Sequence, residues 1–326
     1  MYDIITVGSA TVDVFAKTTC EHISIKNGSE ENNLIAYPTG SKILIEELDF
    51  MIGGGGTNTA VSFSRLGLKT AFLGKIGFDS NSQEILSLLV KEHVDFIGPR
   101  SKAQSGYSII LDSIEEDRTI LTYKGVNDCL DLSEIDKSSL KSKWFYFSSM
   151  MGRSFLTLEK LSSYARRKGI KVAFNPSSYL AQQGVKKLGR ILKATDFLVL
   201  NLEEARLIIG NRDISSLLFG LEKLGPKIIA ITDGKNGVYV KHKSNLYHQP
   251  ANRVRIHETT GAGDAYASGF VSGLIIKGDV LYAMDIGMAN ATSVIKHLGA
   301  KNRLLTLAQA EKEMLKNKPI EKLLIP

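Results

Sequence analysis

The sequence predicts an α/β protein: a mostly parallel sheet flanked by helices, with a small second β-sheet beside it. Three observations predict it. Runs such as Phe197-Leu198-Val199-Leu200 are apolar throughout, as strands buried on both faces are. These runs alternate with segments of helical periodicity along most of the chain. Two stretches, 15–50 and 98–125, break that rhythm with short alternating pieces and polar turns, the signature of strands in a separate sheet.

Composition narrows the class. A chain of 326 residues, 43% hydrophobic and 23% charged, is an ordinary globular protein of one large or two smaller domains. The net charge of +7 is scattered and not interleaved with aromatics, so it gives no support for nucleic-acid binding. A mild positive field suits an anionic small substrate such as a nucleotide. Cys20 and Cys129 are too few for a disulfide framework or a thiolate metal site. No basic-then-apolar leader opens the chain, and no apolar run approaches the ~20 residues of a membrane helix. The expectation is a cytoplasmic protein with no membrane partner.

In chain order, a strand at 4–7 ends at Gly8-Ser9-Ala10, with Asp13 just beyond. Ligands of open α/β sheets bind at such strand ends, so Asp13 either accepts bonds from substrate hydroxyls or serves as a loop residue. Turns at Lys26-Asn27-Gly28-Ser29 and Tyr37-Pro38-Thr39-Gly40 punctuate the first β stretch. Then Gly53-Gly54-Gly55-Gly56-Thr57-Asn58 leads into a helix at 60–66. Four glycines are costly in chain entropy, which points to a substrate lying on bare backbone or to a tight bulge. Asn58 is a substrate ligand or an N-cap. A strand at 70–73 and a helix at 81–92 continue the rhythm. Strands at 107–111 and 119–123 flank the acidic turn Glu115-Glu116-Asp117, a hairpin that joins the first β stretch in a candidate lid.

Beyond residue 126, strands are predicted at 144–147, 172–174, 197–200, 227–232 and 237–241. Helices are predicted at 155–168, 184–193, 203–209, 215–224, 265–276, 280–296 and 307–315. Asn201 and Glu204, three apart at a helix start, suit either the water shell of Mg²⁺ or a capping box. Thr232-Asp233-Gly234-Lys235-Asn236-Gly237 lines a nucleotide or is a plain turn, and Asn175 ends a strand facing the same cleft. The stretch Glu258-Thr259-Thr260-Gly261-Ala262-Gly263-Asp264 reads as a tight loop feeding a helix. The orphan amides of that helix can hold a phosphate. Asp264 beside them suits a base that takes a proton from an attacking hydroxyl, or is simply an acidic first-turn residue. No G-x-x-x-x-G-K-[ST] loop, G-x-G-x-x-G fingerprint, H-E-x-x-H pair or G-x-S-x-G elbow occurs.

Together, Gly8 with Asp13, the glycine block with Asn58, Asn201-x-x-Glu204, Thr232-Asp233-Gly234-x-x-Gly237 and the Thr259 to Asp264 stretch resemble the phosphofructokinase-B, or ribokinase-like, family of carbohydrate and nucleoside kinases. The resemblance covers nearly the whole chain. It implies a doubly wound α/β core (1–14, 51–97 and 126–326) and a β lid (15–50 and 98–125) that commonly forms a homodimer contact. It implies phosphoryl transfer from ATP, with Mg²⁺, to a hydroxyl of a sugar. Asp264 would be the base and Gly261, Ala262 and Gly263 the anion hole. Asn201 and Glu204 would organise Mg²⁺ through water, and Thr232, Gly234, Gly237 and Asn290 would line the nucleotide. Asp13, Gly54, Gly55 and Asn58 would hold the acceptor. The alternatives are a nucleoside kinase of the same family and a non-catalytic sugar- or nucleotide-binding protein. Two residues depart from the family pattern. Glu258 stands where aspartate is common, and Arg303 falls near a monovalent-cation position, where it either replaces the ion or points to solvent. The resulting expectation is an enzyme that does not depend on K⁺.

Overall fold

The computed structural model describes residues 1–18, 21–27, 30–112, 118–297 and 299–324. The first half of the chain runs β1 (Tyr2–Val7), β2 (Thr11–Thr18), β3 (Glu21–Asn27), β4 (Glu30–Ala36), β5 (Ile45–Gly53), α1 (Gly55–Arg65), β6 (Thr70–Leu73) and β7 (Ile76–Gly77). It continues through α2 (Ser80–Lys91), β8 (Asp95–Phe96), β9 (Arg100–Ser101), β10 (Gly106–Asp112), β11 (Arg118–Tyr123) and β12 (Ser142–Phe147). Next come α3 (Gly152–Lys168), β13 (Lys171–Phe174), α4 (Ser177–Ala181), α5 (Gly184–Leu192), β14 (Phe197–Asn201), α6 (Leu202–Ile209) and α7 (Ile214–Glu222). The chain closes with β15 (Ile228–Thr232), β16 (Val238–His242), β17 (Asn245–Gln249), α8 (Ala262–Ile276), α9 (Val280–Val294), α10 (Leu307–Glu313) and β18 (Glu321–Leu323).

Ten strands form the main sheet in the order β18-β17-β16-β15-β14-β13-β12-β1-β6-β8. From β8 to β15 every pairing is parallel, and β16 to β18 add an antiparallel edge. Both faces are covered because successive side chains point oppositely. Ile5, Val7, Phe145 and Phe147 face α3, α5, α6 and α7, while Ile4, Trp144, Tyr146 and Phe197 face α1, α8 and α9. Helix α8 is buried nearly all round, with Phe270 stacked 4.3 Å from Phe197 on the sheet. It lies close against α9: a Cβ on Gly269 would sit 2.8 Å from the Cα of Gly287, and one on Gly273 2.5 Å from the Cα of Ala283.

The second sheet has the order β11-β10-β2-β5. It differs from expectation at its margin. β2 starts at Thr11, so Asp13 lies on a strand of the small sheet and not on a loop of the core, and β5 runs on to Gly53. The glycine block also differs, because α1 begins at Gly55 and includes its last two glycines. Asn58 is therefore inside the first turns and is not the cap. The short polar strands β17 and β18 and helix α4 have no apolar run to announce them. The turns expected at Gly28-Ser29 and 115–117, and Cys20, lie outside the described residues. Among the described residues no helix is long and apolar enough to cross a membrane.

Candidate active site

The site is built around the N-terminus of α8. Gly261 precedes the helix with φ 80, a conformation glycine adopts readily, and a Cβ there would come within 2.4 Å of the Ala300 Cβ. No side chain caps this end. The Ala262 N–H closes a turn on the Thr259 carbonyl at 3.1 Å, and the first intrahelical bond is Ala265 N–H to Gly261 O at 2.8 Å. Between them the amides of Gly263 and Asp264 precede any intrahelical partner, at the positive end of the helix dipole. Of the expected anion-hole residues, Ala262 thus has its amide committed to the turn. The open end faces a cavity of about 220 Å³ lined by Asn175, Asn201, Glu204, Thr232, Gly263 and Asp264 among others.

A second cavity, about 260 Å³, lies on the other side of Asp264 and includes Ser9, Gly55, Asn127, Ser148, Asn175 and Asp264 in its lining. Asp264 and Asn175 line both cavities. Asp264 Oδ2 accepts a 2.9 Å bond from Asn58 Nδ2. Asp264 Oδ1 lies beside Gly55, where an added Cβ would sit 3.7 Å from it and 3.1 Å from the Ser148 Oγ. Burial pushes the Asp264 carboxyl above the usual carboxylate range, while the Asn58 amide and the Lys301 charge pull it back. Lys301 was not singled out in the sequence. Its ammonium donates to Asn58 Oδ1 and to the Ile52 carbonyl, and burial pushes its pKa down to about 7 against the pull of Asp13 and Asp264.

The glycine block makes room for this cluster. A Cβ on Gly53 would strike the Asp13 carboxyl, and one on Gly56 would lie 2.7 Å from the Gly8 carbonyl carbon. Gly54 is the N-cap of α1 at φ 92. Asp13 Oδ1 is buried and has no hydrogen-bond partner. Asn127, also absent from the sequence reading, ties β2 to the wall by bonding both the amide and the carbonyl of Ala10.

The remaining expected residues divide. Thr232 lines the first cavity opposite Asn201 in the sheet register. Asn201 and Glu204 form a reciprocal capping box, Oδ1 accepting from the Glu204 amide at 2.8 Å and Glu204 Oε2 from the Asn201 amide at 3.0 Å. Burial raises the Glu204 pKa, and the charges of Glu203 and Asp264 add to that rise. Gly234 and Gly237 shape the turn between β15 and β16 and line neither cavity; a Cβ on Gly237 would clash with the Gln249 carbonyl. Asn290 is a correction. It is fully buried, with Nδ2 donating to Ser62 Oγ and the Ala265 carbonyl and Oδ1 accepting from the Leu305 amide, so it ties α9 to α1 and α8 and leaves no group for a nucleotide. Glu258 is buried and accepts the Gly299 amide at 2.6 Å. Arg303 is exposed on an outer cavity with Lys296 and Lys312, so the cation this segment presents to Asp264 is Lys301.

Residues 21–307 match the pfkB family of carbohydrate kinases. The chain belongs to that family. The ribokinase of Staphylococcus aureus is 28% identical over 271 residues, 79% of this chain and 87% of its own. The 5-dehydro-2-deoxygluconokinase of Clostridium perfringens is 27% identical over 346 aligned positions, 98% of this chain and 94% of its own. The structure of Arabidopsis thaliana ribokinase complexed with ribose and ATP superposes with a TM-score of 0.82 at 17% identity, over 96% of this chain and 98% of that one. The fold is accordingly ribokinase-like. A pfkB kinase is a phosphotransferase with an alcohol group as acceptor, and this chain is one, acting on a sugar or a nucleoside.

Proposed function

We propose that this kinase transfers the γ-phosphoryl group of ATP to a hydroxyl of a free sugar, with Asp264 as general base. The observation that carries the reading is that two cavities meet at one buried carboxylate. The acceptor sits in the 260 Å³ cavity, which falls below the roughly 300–1,000 Å³ of drug-sized ligand pockets and suits one sugar ring better than a nucleoside. Asp13 is outside the lining of this cavity; its buried, unpartnered Oδ1 is an acceptor that a sugar hydroxyl would satisfy. The attacking hydroxyl hydrogen-bonds to Asp264 Oδ1 and passes its proton there as its oxygen bonds to phosphorus and the bond to the ADP oxygen breaks. Asn58 holds Oδ2, so the lone pairs of Oδ1 face the cavity. The Gly263 and Asp264 amides meet the developing charge of the phosphoryl group from the other side.

The donor lies along the 220 Å³ cavity beside Asn201 and Thr232. The residues there fit Mg²⁺ carried on the phosphates. Glu204 is a buried carboxyl whose ionisation neighbouring acids oppose, a burden a cation relieves. Among the described residues no group of three acidic, His or Cys side chains could hold a metal without the nucleotide. Bound there through water, the ion would neutralise phosphate charge. The small sheet closes as a lid over the acceptor and pairs two copies through a cross-strand row in which Phe50 is 66% and Leu121 54% exposed. Light scattering should then report a dimer.

A coupled ADP-release assay over pentoses, hexoses, keto-deoxy sugars and nucleosides tests the substrate. We expect the highest kcat/KM on a free sugar. A nucleoside turned over with higher kcat/KM than every sugar would replace this reading with that of a nucleoside kinase.

A further inference from the structure

Lys301 sits on the 299–303 segment, which is held against both halves of the site. The Gly299 amide is fastened by Glu258, and the backbone at Gly299 passes so close to Met51 that a Cβ would lie 2.5 Å from its sulfur. Ala300 abuts Gly261 at the start of α8. From there the Lys301 ammonium reaches the carbonyl of Ile52, at the end of β5, and Oδ1 of Asn58, on α1. Its charge also faces Asp13 on β2 and Asp264 on α8, and is influenced more weakly by Arg65 of α1, whose guanidinium donates to the Lys301 carbonyl at 3.2 Å, and by Glu92 beyond α2.

We propose that Lys301 is a positioning residue for phosphoryl transfer: it fixes the side-chain amide of Asn58 in the one orientation that donates to Asp264, and sets a positive charge beside the two carboxylates at the acceptor site. A lysine ammonium has donors and no acceptor, so Asn58 must present oxygen to it. Its nitrogen is then turned to Asp264, where the bond measures 2.9 Å. With the amide reversed, an oxygen would face the carboxylate and a nitrogen the ammonium, and both contacts would repel. The carboxylate that must accept the proton is thereby held with Oδ1 toward the cavity. Removing the lysine frees the amide to turn and takes away the positive charge that Asp13 and Asp264 each face.

This inference rests on Asp264 being the base, and its test separates the two. Wild type, K301M and K301R are compared on whichever panel compound the wild type phosphorylates fastest, with melting temperature and ATP affinity measured alongside. For K301M we expect kcat to fall at least tenfold with ATP affinity within threefold. The wild-type kcat/KM for the acceptor should decline above pH 7, where the buried amine loses its proton, and this limb should be missing in K301M and moved to higher pH in K301R. K301M turnover within twofold of wild type overturns the inference, as does an unchanged alkaline limb in K301R. A crystal structure of K301M gives a readout that does not use turnover: an Asn58 amide withdrawn from Asp264 supports the proposal, and an undisturbed contact refutes it. Should K301M not fold, the crystal structure of K301R carries the test: an Asn58 amide still donating to Asp264 with its Oδ1 no longer met by residue 301 refutes the proposal. If D264N keeps full activity, it is the base assignment that fails, while the K301M structure still reports on Asn58.

Discussion

Helices α6 and α8 both start on the 220 Å³ cavity, and they start in opposite ways. α6 is closed: Asn201 and Glu204 exchange side-chain bonds with each other's amides. α8 is open: a glycine at φ 80 stands where a capping side chain would, and the amides of Gly263 and Asp264 face the cavity. α1 shows that the glycine alone does not make the difference. It too begins after a glycine with positive φ and no side-chain cap, yet its Gly56 and Thr57 amides are taken by the Ser9 carbonyl. An anion site needs amides left over: α1 has those of Gly56 and Thr57 taken and α6 that of Glu204, whereas Gly263 and Asp264, which line the cavity, keep theirs without an intrahelical partner in α8. Its first turn also carries the acid that such a site would otherwise avoid.

The largest break in this comparison should come from D264N. The substitution keeps the shape of the open helix end and removes the base, so kcat should fall by about 10²–10⁴-fold, the usual worth of a general base. ATP affinity by calorimetry should hold or improve, since a negative charge beside the phosphates is gone. The variant should not lose stability. Burial raises the folded-state pKa of Asp264 above its unfolded value, so its contribution is fully favourable below the unfolded pKa and is lost as pH rises through the folded one. Melting curves should therefore show wild type falling behind D264N as pH rises through that window. Turnover within threefold of wild type would remove Asp264 from the base role.

G261A should follow. A side chain at φ 80 is strained by about 1–3 kcal/mol, and the new methyl meets Ala300. Relief requires the loop to shift, which moves the Gly263 and Asp264 amides. Turnover and ATP affinity should both drop, about tenfold or more, together with melting temperature. A variant that melts early but retains wild-type ATP affinity would show that the phosphates are held elsewhere.

The order in which these features could be read from sequence has a physical cause. Strand and helix cores were legible because they are runs of apolar residues with period 2 or 3.6. β17, β18 and α4 were not, because short polar elements at an edge take their structure from neighbours. The place of Asp264 was legible because it follows from what is adjacent in the chain: an acid directly after Gly261-Ala262-Gly263, which falls in the first turn of α8. Lys301 was not, since in a chain with 41 lysines and arginines nothing local marks the one that turns inward. The family resemblance set Asn290 among the residues lining the nucleotide, but its partners come from α1, α8 and the 305 segment, which only folding brings together. Asn201 and Glu204 supported two readings, and the geometry gives the box.

The smallest effect should come from N201A, which tests the closed member of the pair. Removing the cap frees the Glu204 amide and leaves only the backbone half of the reciprocal arrangement, a loss of about 1 kcal/mol for a typical N-cap. If Asn201 acts only as a cap, chemical denaturation should show that loss while kcat with saturating Mg²⁺-ATP stays within about threefold. Glu204 then remains in the cavity, held by the Ser178 hydroxyl and by the backbone amide of residue 201, which alanine keeps. If the carboxylate must be aimed by the box to organise the metal, the requirement for free Mg²⁺ should rise while kcat at saturating metal recovers. A metal titration distinguishes the two, because a purely structural loss lowers the melting point without moving the Mg²⁺ concentration for half-maximal rate. A fall in kcat as deep as that of D264N, not restored by metal, would mean that the closed helix end takes part in the chemistry and that the contrast with α8 is one of degree.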